Sequence, residues 1–591
     1  MIGTSGASPA RSPGVQHVFG RPLLLALLAL AAVALFVLPL GAVMRLALFA
    51  AGGGLDAFSE ALSSPPVQRA LWRSLESSAL SAGIATLVGG ALGLLIGLTD
   101  LRGRVALSFA IITLMMIPAH VTAIAWMQML GPSSVLLQAL GLAPPPGSTH
   151  PLYSRGGVIG LLALQQVPIV YLTLRAALRA LPRDLAEAAR VGGAGPWRLV
   201  LRIILPLTAP ALVAGFALAF VAALGNFGVP ALLGVPGRYI TLPVLMWQRL
   251  ASSGPSVLAD MAVLAVLIGG LAALAVAAQA GLLRRLSVVL IGPPQAPLRR
   301  LTLGRARPVV EGTLWLALGL AVIAPFLSML GTALVPTYGV PLTPATATLA
   351  HFREVMFAQA VTLRAFANSA GLALAAGGGV AVMALGLGAV IHRRGAAAGV
   401  ARAVAGSAEV AYALPGLVIS VAFIIVFLRP LPVVGLSIYG THAIILGAYL
   451  AAFWAVALKP VGVAYAALDP AMDDAARVSG AGFWRRLSRI DTPLVAPAAA
   501  PTANATPRRG LDFAPFFVGV RGRMVPYLAA AVLLAASLVS SEALATEAGI
   551  RWLLVGGLIL LVGARPWFLV VATALVLALA TFVLQPTAEF R

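Results

Sequence analysis

The chain contains no cysteine and a single lysine, Lys459. Without cysteine there are no disulfides, iron–sulfur clusters, thiolate zinc sites or cysteine nucleophiles. Lys459 is followed by Pro460, so no Gly-Lys-Ser/Thr phosphate loop exists. Any ATP-driven work therefore falls to a separate subunit, and no cofactor is expected on this chain. Charge is scarce, at 10% of 591 residues, against about a quarter in a soluble globular chain. The six histidines are scattered without ligand spacing, so no metal site is expected. No catalytic carboxylate pair and no Ser–His arrangement stands out, which argues against an enzyme.

What remains is apolar. Hydrophobic residues make up 60% of the chain, and the mean hydropathy is +0.99. Apolar runs recur that are long enough to cross a bilayer core of about 30 Å. They do not alternate at every second residue, which excludes barrel strands. The expected fold is an all-α, polytopic transmembrane helical bundle. Spans are expected at roughly 22–48, 76–98, 105–130, 157–178, 207–234 and 259–283, then 312–334, 368–391, 405–428 and 437–458. The first run is too long for a signal-peptide core and reads as an uncleaved span. Between the two sets, "RRLSVVLIGPPQAPLRRLTLGRARP" is a Pro- and Arg-rich linker.

The net charge of +22 is carried almost wholly by arginine. With the N-terminus in the cytoplasm, the inside loops fall at 99–104, 179–206, 284–311, 392–404 and 459–493. With the N-terminal tail, they hold about three-quarters of the basic residues before residue 494, the positive-inside pattern. Membrane orientation thus accounts for the basic excess, and nucleic-acid binding is not expected. Membrane lipid is the surrounding medium.

Two stretches stand out. "EAARVGGAGPWRLVLRIILP" begins at Glu187 and "DAARVSGAGFWRRLSRIDTP" at Asp474, and 12 of their 20 positions are identical. Further echoes are "IPAHVTAIAW" with "LPGLVISVAF" and "RSLESSALSAG" with "NSAGLALAAG". The halves therefore read as parallel repeats of a six-helix type. The expected organisation is a first repeat at 1–283 with its loop at 182–206 and a linker at 284–311. A second repeat follows at 312–493 with its loop at 469–493, and then an atypical tail at 494–591.

Each loop reads as a short helix broken at glycine and restarted. Pro182 opens the first copy, Arg183 to Val191 suits one helix, and Gly193 is the expected left-handed residue. Asp469 is the expected N-cap of the second copy, with Pro470 at its first helical position. Leu185, Ala188, Ala189 and Gly192 form a small-residue face in the first copy, and Ala475, Ala476 and Ser479 in the second. Such a helix is marginal alone and is stabilised by packing on a partner.

The spacing Glu-Ala-Ala, three residues, Gly, nine residues, Ile-x-Leu-Pro resembles the signature loop of binding-protein-dependent ABC importer permeases. Glu187, Ala188, Ala189, Gly193, Ile203, Leu205 and Pro206 match it. In the second copy Ala475, Ala476, Gly480, Ile490 and Pro493 match, with Asp474 replacing Glu and Thr492 replacing Leu. The resemblance implies coupling helices that sit in clefts of two ATP-binding cassette ATPase subunits, which use the ATP. Trp197 and Trp484 hold the same place in each copy. It further implies a periplasmic substrate-binding protein, a bacterial inner-membrane location and alternating access. "AWMQMLGPSS", "PLYSRGGVIG" and "NFGVPALLGVPGRYITL", with "AYALPGLVIS" and "GAYLAAFWAVALKP", are similar to the fused permeases of the iron(III) branch. Ferric iron is the cargo this implies, with thiamine, phosphonate, sulfate or polyamine as alternatives. An ion-coupled secondary transporter would want buried carboxylates in the spans, and Glu409 stands nearly alone.

Polar residues within spans are costly and invite a pathway reading. The candidates are His120, Gln128, Gln165, Asn226, Glu409 and Tyr412, with Gln166 and His442 beside them. After Pro493 the repeat breaks down. A fifth span is expected, but "LVAPAAAPTANATPRRGLDFAPFFVGVRGR" is too rich in proline to span. Apolar stretches resume at roughly 524–541, 551–564 and 566–585, for a total of 12 or 13 spans. A variant end, a fused foreign segment and a shifted reading frame are the three possible origins. A shifted frame predicts that another frame of the gene, read downstream of the codon for Pro493, encodes a normal fifth span. Its absence from every frame leaves a variant or fused end.

Overall fold

The computed structural model describes residues 16–49, 56–145, 147–252, 257–286, 300–392, 397–428, 430 and 437–499. The middle of the linker (287–299) lies outside them, as does the tail from 500, with its three apolar stretches. Eight of the described helices are long and apolar enough to cross a membrane, or ten spans if each of two bent pairs counts as one. The first half carries α1 (Gly20–Phe49), α2 (Pro65–Leu98), α3 (Arg104–Met116), α4 (Ala119–Leu130), α5 (Arg155–Ala180), α6 (Arg183–Val191), α7 (Pro196–Leu224) and α8 (Val257–Leu286). The second carries α9 (Gly304–Ala333), α10 (Ala360–Ile391), α11 (Ala397–Ala413), α12 (Gly416–Phe427), α13 (His442–Ala466) and α14 (Pro470–Val478). The described residues hold no strand, only an isolated bridge between Thr99 and Leu301.

Two expected spans are not continuous. The stretch at 105–130 breaks between α3 and α4, with a bend of 103°, and the stretch at 405–428 breaks between α11 and α12, with a bend of 111°. Pro118 and Pro415 sit at the two breaks. Each lacks the amide hydrogen needed to continue a helix and pushes the preceding residue out of the helical region. Ile117 accordingly lies at φ −85°, ψ 127°. The fifth stretch also differs from expectation. It is helical from Pro196 and stops at Leu224, well before residue 234. Asn226 turns the chain there, its Oδ1 accepting the Val229 amide at 3.1 Å.

The chain divides into two compact units. One holds Ala42–Ala360 and Ala413–Ala422, and the other holds Met1–Gly41, Val361–Tyr412 and Phe423–Arg591. Most of the first span of each half thus groups with the other half.

In the unit built on 42–360, α2, α5 and α7 pack closely because small residues line the contact. A Cβ on Gly89 would lie 2.7 Å from the Val167 carbonyl oxygen, and one on Gly215 would lie 2.7 Å from Thr173 Oγ1. Ala82, Ala85, Val167, Val170, Tyr171 and Ala219 form the buried seam. A polar knot ties α3 to it. The Ser108 and Tyr171 hydroxyls are 2.6 Å apart, and Arg175 donates to the Tyr171 hydroxyl at 2.9 Å. The α9 helix joins this unit through Ser328, which donates to the Gln128 carbonyl at 3.2 Å, and through Gly331 against Val135.

In the other unit, α1 meets α13, with the Phe36 and Trp454 rings stacked at 5.6 Å. Arg21 donates to the Val390 carbonyl at 3.3 Å. The Tyr465 ring lies where a Cβ on Gly388 would stand, and its hydroxyl donates to the Leu385 carbonyl at 3.2 Å, fastening α13 to α10.

The close approach at Gly89 generates a test. Gly89→Ala forces backbone apart and is expected to cost about 1–3 kcal/mol, read as a lower thermal midpoint of the purified protein. Gly83, on the same helix, has nothing within 4 Å of its would-be Cβ. Gly83→Ala is therefore expected to be neutral or to stabilise by up to about 1 kcal/mol through helix propensity. Equal midpoints for the two variants would contradict the packing described.

Candidate functional site

The repeated loops fold alike, residue for residue. In the first copy α6 ends at Val191, and Gly193 takes φ +79°. The Gly193 amide donates to the Arg190 carbonyl at 3.0 Å, and the Ala194 amide reaches back to the Ala189 carbonyl at 2.9 Å. This pair of bonds is a Schellman turn, which satisfies helix-end carbonyls and needs a left-handed residue. In the second copy α14 ends at Val478, and Gly480 takes φ +73°. The Gly480 amide donates to the Arg477 carbonyl at 3.0 Å, and that of Ala481 to the Ala476 carbonyl at 2.9 Å.

Both copies then restart on a glycine N-cap. Gly195 stands at φ −67°, ψ 168° and Gly482 at φ −66°, ψ 168°. One turn of helix leads into a five-residue π segment in each, at Val200–Ile204 and Leu487–Asp491. Pro206 and Pro493 follow as the second residue after the π segment in each copy. The helix starts differ: Pro182 offers no side-chain cap, whereas the Asp469 carboxylate accepts the Ala471 amide at 2.9 Å.

The expected contact residues are accessible to different degrees. Ala188, Gly193, Asp474, Ala475 and Gly480 are exposed, and Glu187, Ala189 and Ala476 are half-buried. The tips of the two helices are the most open large apolar positions among the described residues, Val191 and Val478 each being 91% exposed. Trp197 is also largely exposed. Trp484 is less so because it lies against α1, where a Cβ on Gly20 would stand 3.0 Å from its Nε1.

The candidate pathway residues fall into two groups. Gln165, buried on α5, accepts from Asn226 Nδ2 at 3.2 Å. His120, exposed at the start of α4, lies beside the same loop, its amide nitrogen 3.0 Å from a would-be Cβ on Gly228. Gln128 donates to the Tyr338 hydroxyl at 2.9 Å. In the other unit Glu409 and Tyr412 are exposed on α11, and Lys459 Nζ stands 4.8 Å from the centre of the Tyr412 ring. Among the described residues no cluster of three His, Asp or Glu could hold a metal ion.

Two polar clusters were not among the expected sites. At the end of α2 far from α6, Glu76 pairs with Arg155 at 2.6 Å and accepts the Tyr239 hydroxyl at 2.8 Å. Ser74 accepts the Leu242 amide at 2.7 Å, so the loop after α7 is pinned to α2. Burial first, then the Glu76 carboxylate, raises the Tyr239 hydroxyl above its ordinary range and keeps it a donor. At the other end of α2, Asp100 binds the Leu303 amide at 3.0 Å and Arg307 at 3.6 Å, while Glu311 accepts the Arg102 amide at 2.7 Å. A Glu inside an apolar stretch was the readable signal for the first cluster. The second joins residues some 200 positions apart, and no local pattern announces it.

Residues 89–288 match the family described as "Binding-protein-dependent transport system inner membrane component". A probable ABC transporter permease of Sinorhizobium fredii, y4fN, is 26% identical over 497 residues, covering 83% of this chain and 86% of the relative. A putative 2-aminoethylphosphonate transport system permease of Salmonella choleraesuis, PhnU, is 30% identical over 236 residues, covering 39% of this chain and 82% of the relative. The molybdenum transport system permease ModB of Escherichia coli is 36% identical over 110 residues, 18% of this chain and 48% of its own length. With its many apolar helices and these matches, the chain is a multi-pass protein of the inner membrane and belongs to the binding-protein-dependent transport system inner membrane components, the permeases of ABC importers.

Proposed function

We propose that this chain is the membrane subunit of an importer in which α6 and α14 each dock on an ATPase subunit and carry its closure into the spans. The observation behind this reading is the pair Val191 and Val478. The same residue stands at the same place in both copies, 91% exposed in each. Leaving a valine in water rather than burying it forfeits about 1.5–3 kcal/mol. An arginine directly precedes each tip, at Arg190 and Arg477, and a charged flank beside an open valine suits a protein cleft better than lipid. The basic loops support a cytoplasmic side for both tips and for the N-terminus. A binding protein would deliver cargo on the opposite side. The repeats at 1–283 and 312–493, joined by the 284–311 linker and followed by the 494–591 tail, would each contribute one lever to alternating access.

Two cargo readings have support. Ferric iron follows from the resemblance of the sequence to the iron(III) branch. A small oxyanion follows from the names of the relatives, which transport 2-aminoethylphosphonate or molybdenum, with a probable sulfate permease of Chlorokybus atmophyticus also similar, at 38% identity over 100 residues. We favour the oxyanion. His120, Gln128, Gln165 and Asn226 offer neutral or switchable hydrogen bonds rather than a cage of carboxylates. Glu409 and Tyr412 remain candidates on the other unit.

The test replaces both left-handed glycines. Gly193→Val with Gly480→Val places a β-branched residue where L side chains cost about 1–2 kcal/mol each. Co-purification of the ATPase and ATP-dependent uptake in vesicles are expected to be lost together. Unchanged uptake would contradict the reading. Offering the wild type 2-aminoethylphosphonate, molybdate, sulfate, ferric iron and thiamine, each with its cognate binding protein, decides the cargo. Saturable uptake of ferric iron alone would overturn the oxyanion reading.

A further inference from the structure

The two levers share a backbone but not the glue behind it. In the first copy Ala186, Leu199 and Ile204 are all buried, and with Leu98, Leu174, Leu178 and Leu181 they form one apolar cluster. The helix α6 is thereby seated on the ends of α2 and α5 by hydrophobic contact. Each of these three residues has its counterpart 287 positions on, at Asp473, Arg486 and Asp491. All three apolar residues are replaced by charged ones. No residue of α14 is buried.

At the equivalent of the Ala186 and Leu199 positions there is an ion pair. Arg486 Nη1 lies 3.1 Å from one Asp473 carboxylate oxygen and 3.2 Å from the other. The pair is shielded, the Arg486 side chain being only 13% exposed and that of Asp473 32%. Asp491, on the π segment behind it, is itself buried. The ion pair joins the lever helix to the helix that restarts after the glycine turn, and so it fixes the angle between them. By contrast, a second ion pair on α14, Arg477 with Asp474 at 3.9 Å, is open to solvent and lies within one helix. It cannot set that angle.

We propose that Asp473 and Arg486 form a polar clasp that positions the second lever, in place of the apolar seam that positions the first. The two levers then differ in what loosens them. A shielded ion pair in direct contact is screened by salt much less than an open one. Removing one partner leaves the other charge shielded and unpaired, and that loosens the joint. Asp473 and Arg486 are positioning residues, acting through the angle between the two helices they join. Their importance for transport rests on the importer reading given above, whereas the clasp itself does not.

The native absence of cysteine permits matched labels on the full chain. Spin labels at Val478→Cys with Arg489→Cys report the second lever, and Val191→Cys with Arg202→Cys report the first. All four positions are exposed. In lipid nanodiscs, introducing Asp473→Ala is expected to widen the distance distribution of the second pair about twofold. The first pair should not change. In vesicles with ATPase and binding protein, Asp473→Ala is expected to lower uptake about fivefold. Asp473→Ala with Arg486→Leu, which installs the residues of the first copy, should restore it to within about twofold of wild type. Unchanged label distances in Asp473→Ala overturn the clasp. So does a double variant no better than the single. If the wild type shows no ATP-dependent uptake while Asp473→Ala still widens the distances, the importer reading fails and the clasp stands.

Discussion

The architecture at the lever end depends on a glycine that can turn left. After α6 and α14 the chain must stop, satisfy the last carbonyls and set off again within four residues. The Schellman turns at Gly193 and Gly480 do this at φ +79° and +73°. A residue with a Cβ would pay about 1–2 kcal/mol for the same turn. With glycine there, the preceding valine is held out as the tip of the helix and the next helix restarts on a second glycine. A proline two residues past the π segment completes the unit in both copies. The exposure of each tip requires this reversal.

Much of this was legible in the sequence. The apolar runs announced the spans because bilayer thickness leaves few ways to use 20 apolar residues. The two loops were legible because Gly, Pro and Trp kept register across both copies, and each has a narrow backbone role. The bends at Pro118 and Pro415 were less so. Counting apolar length treats a proline as one more residue, although it removes an amide and restricts its neighbour. The end of α7 at Leu224 was hidden for a similar reason, since "NFGVPALLGVP" is apolar enough to pass for helix. The grouping of α9 with α4 could not be read at all. It rests on Ser328 reaching the Gln128 carbonyl, a contact that no local pattern encodes.

The site divides in the same way. Gln165 and Asn226, singled out because polar groups in a span are costly, meet in a hydrogen bond, and His120 stands beside the same loop. Tyr171, Ser108 and Arg175 passed unnoticed in the sequence, because a tyrosine in an apolar helix reads as core until its hydroxyl finds partners. Duplication explains what the copies share. The copies differ in the material behind the glycine turn, which is Ala186 and Leu199 in one and Asp473 and Arg486 in the other. The exchange kept complementary partners together, as a buried charge requires.

The central claim is that both tips lie on the cytoplasmic side and are covered there by an ATPase. Single cysteines at Val191 or Val478, in an otherwise cysteine-free chain, test this through membrane sidedness. The account predicts that a membrane-impermeant maleimide fails to label either position in intact cells, labels both in inverted vesicles, and is blocked once ATPase subunits are bound. Labelling of either position from outside intact cells would contradict it.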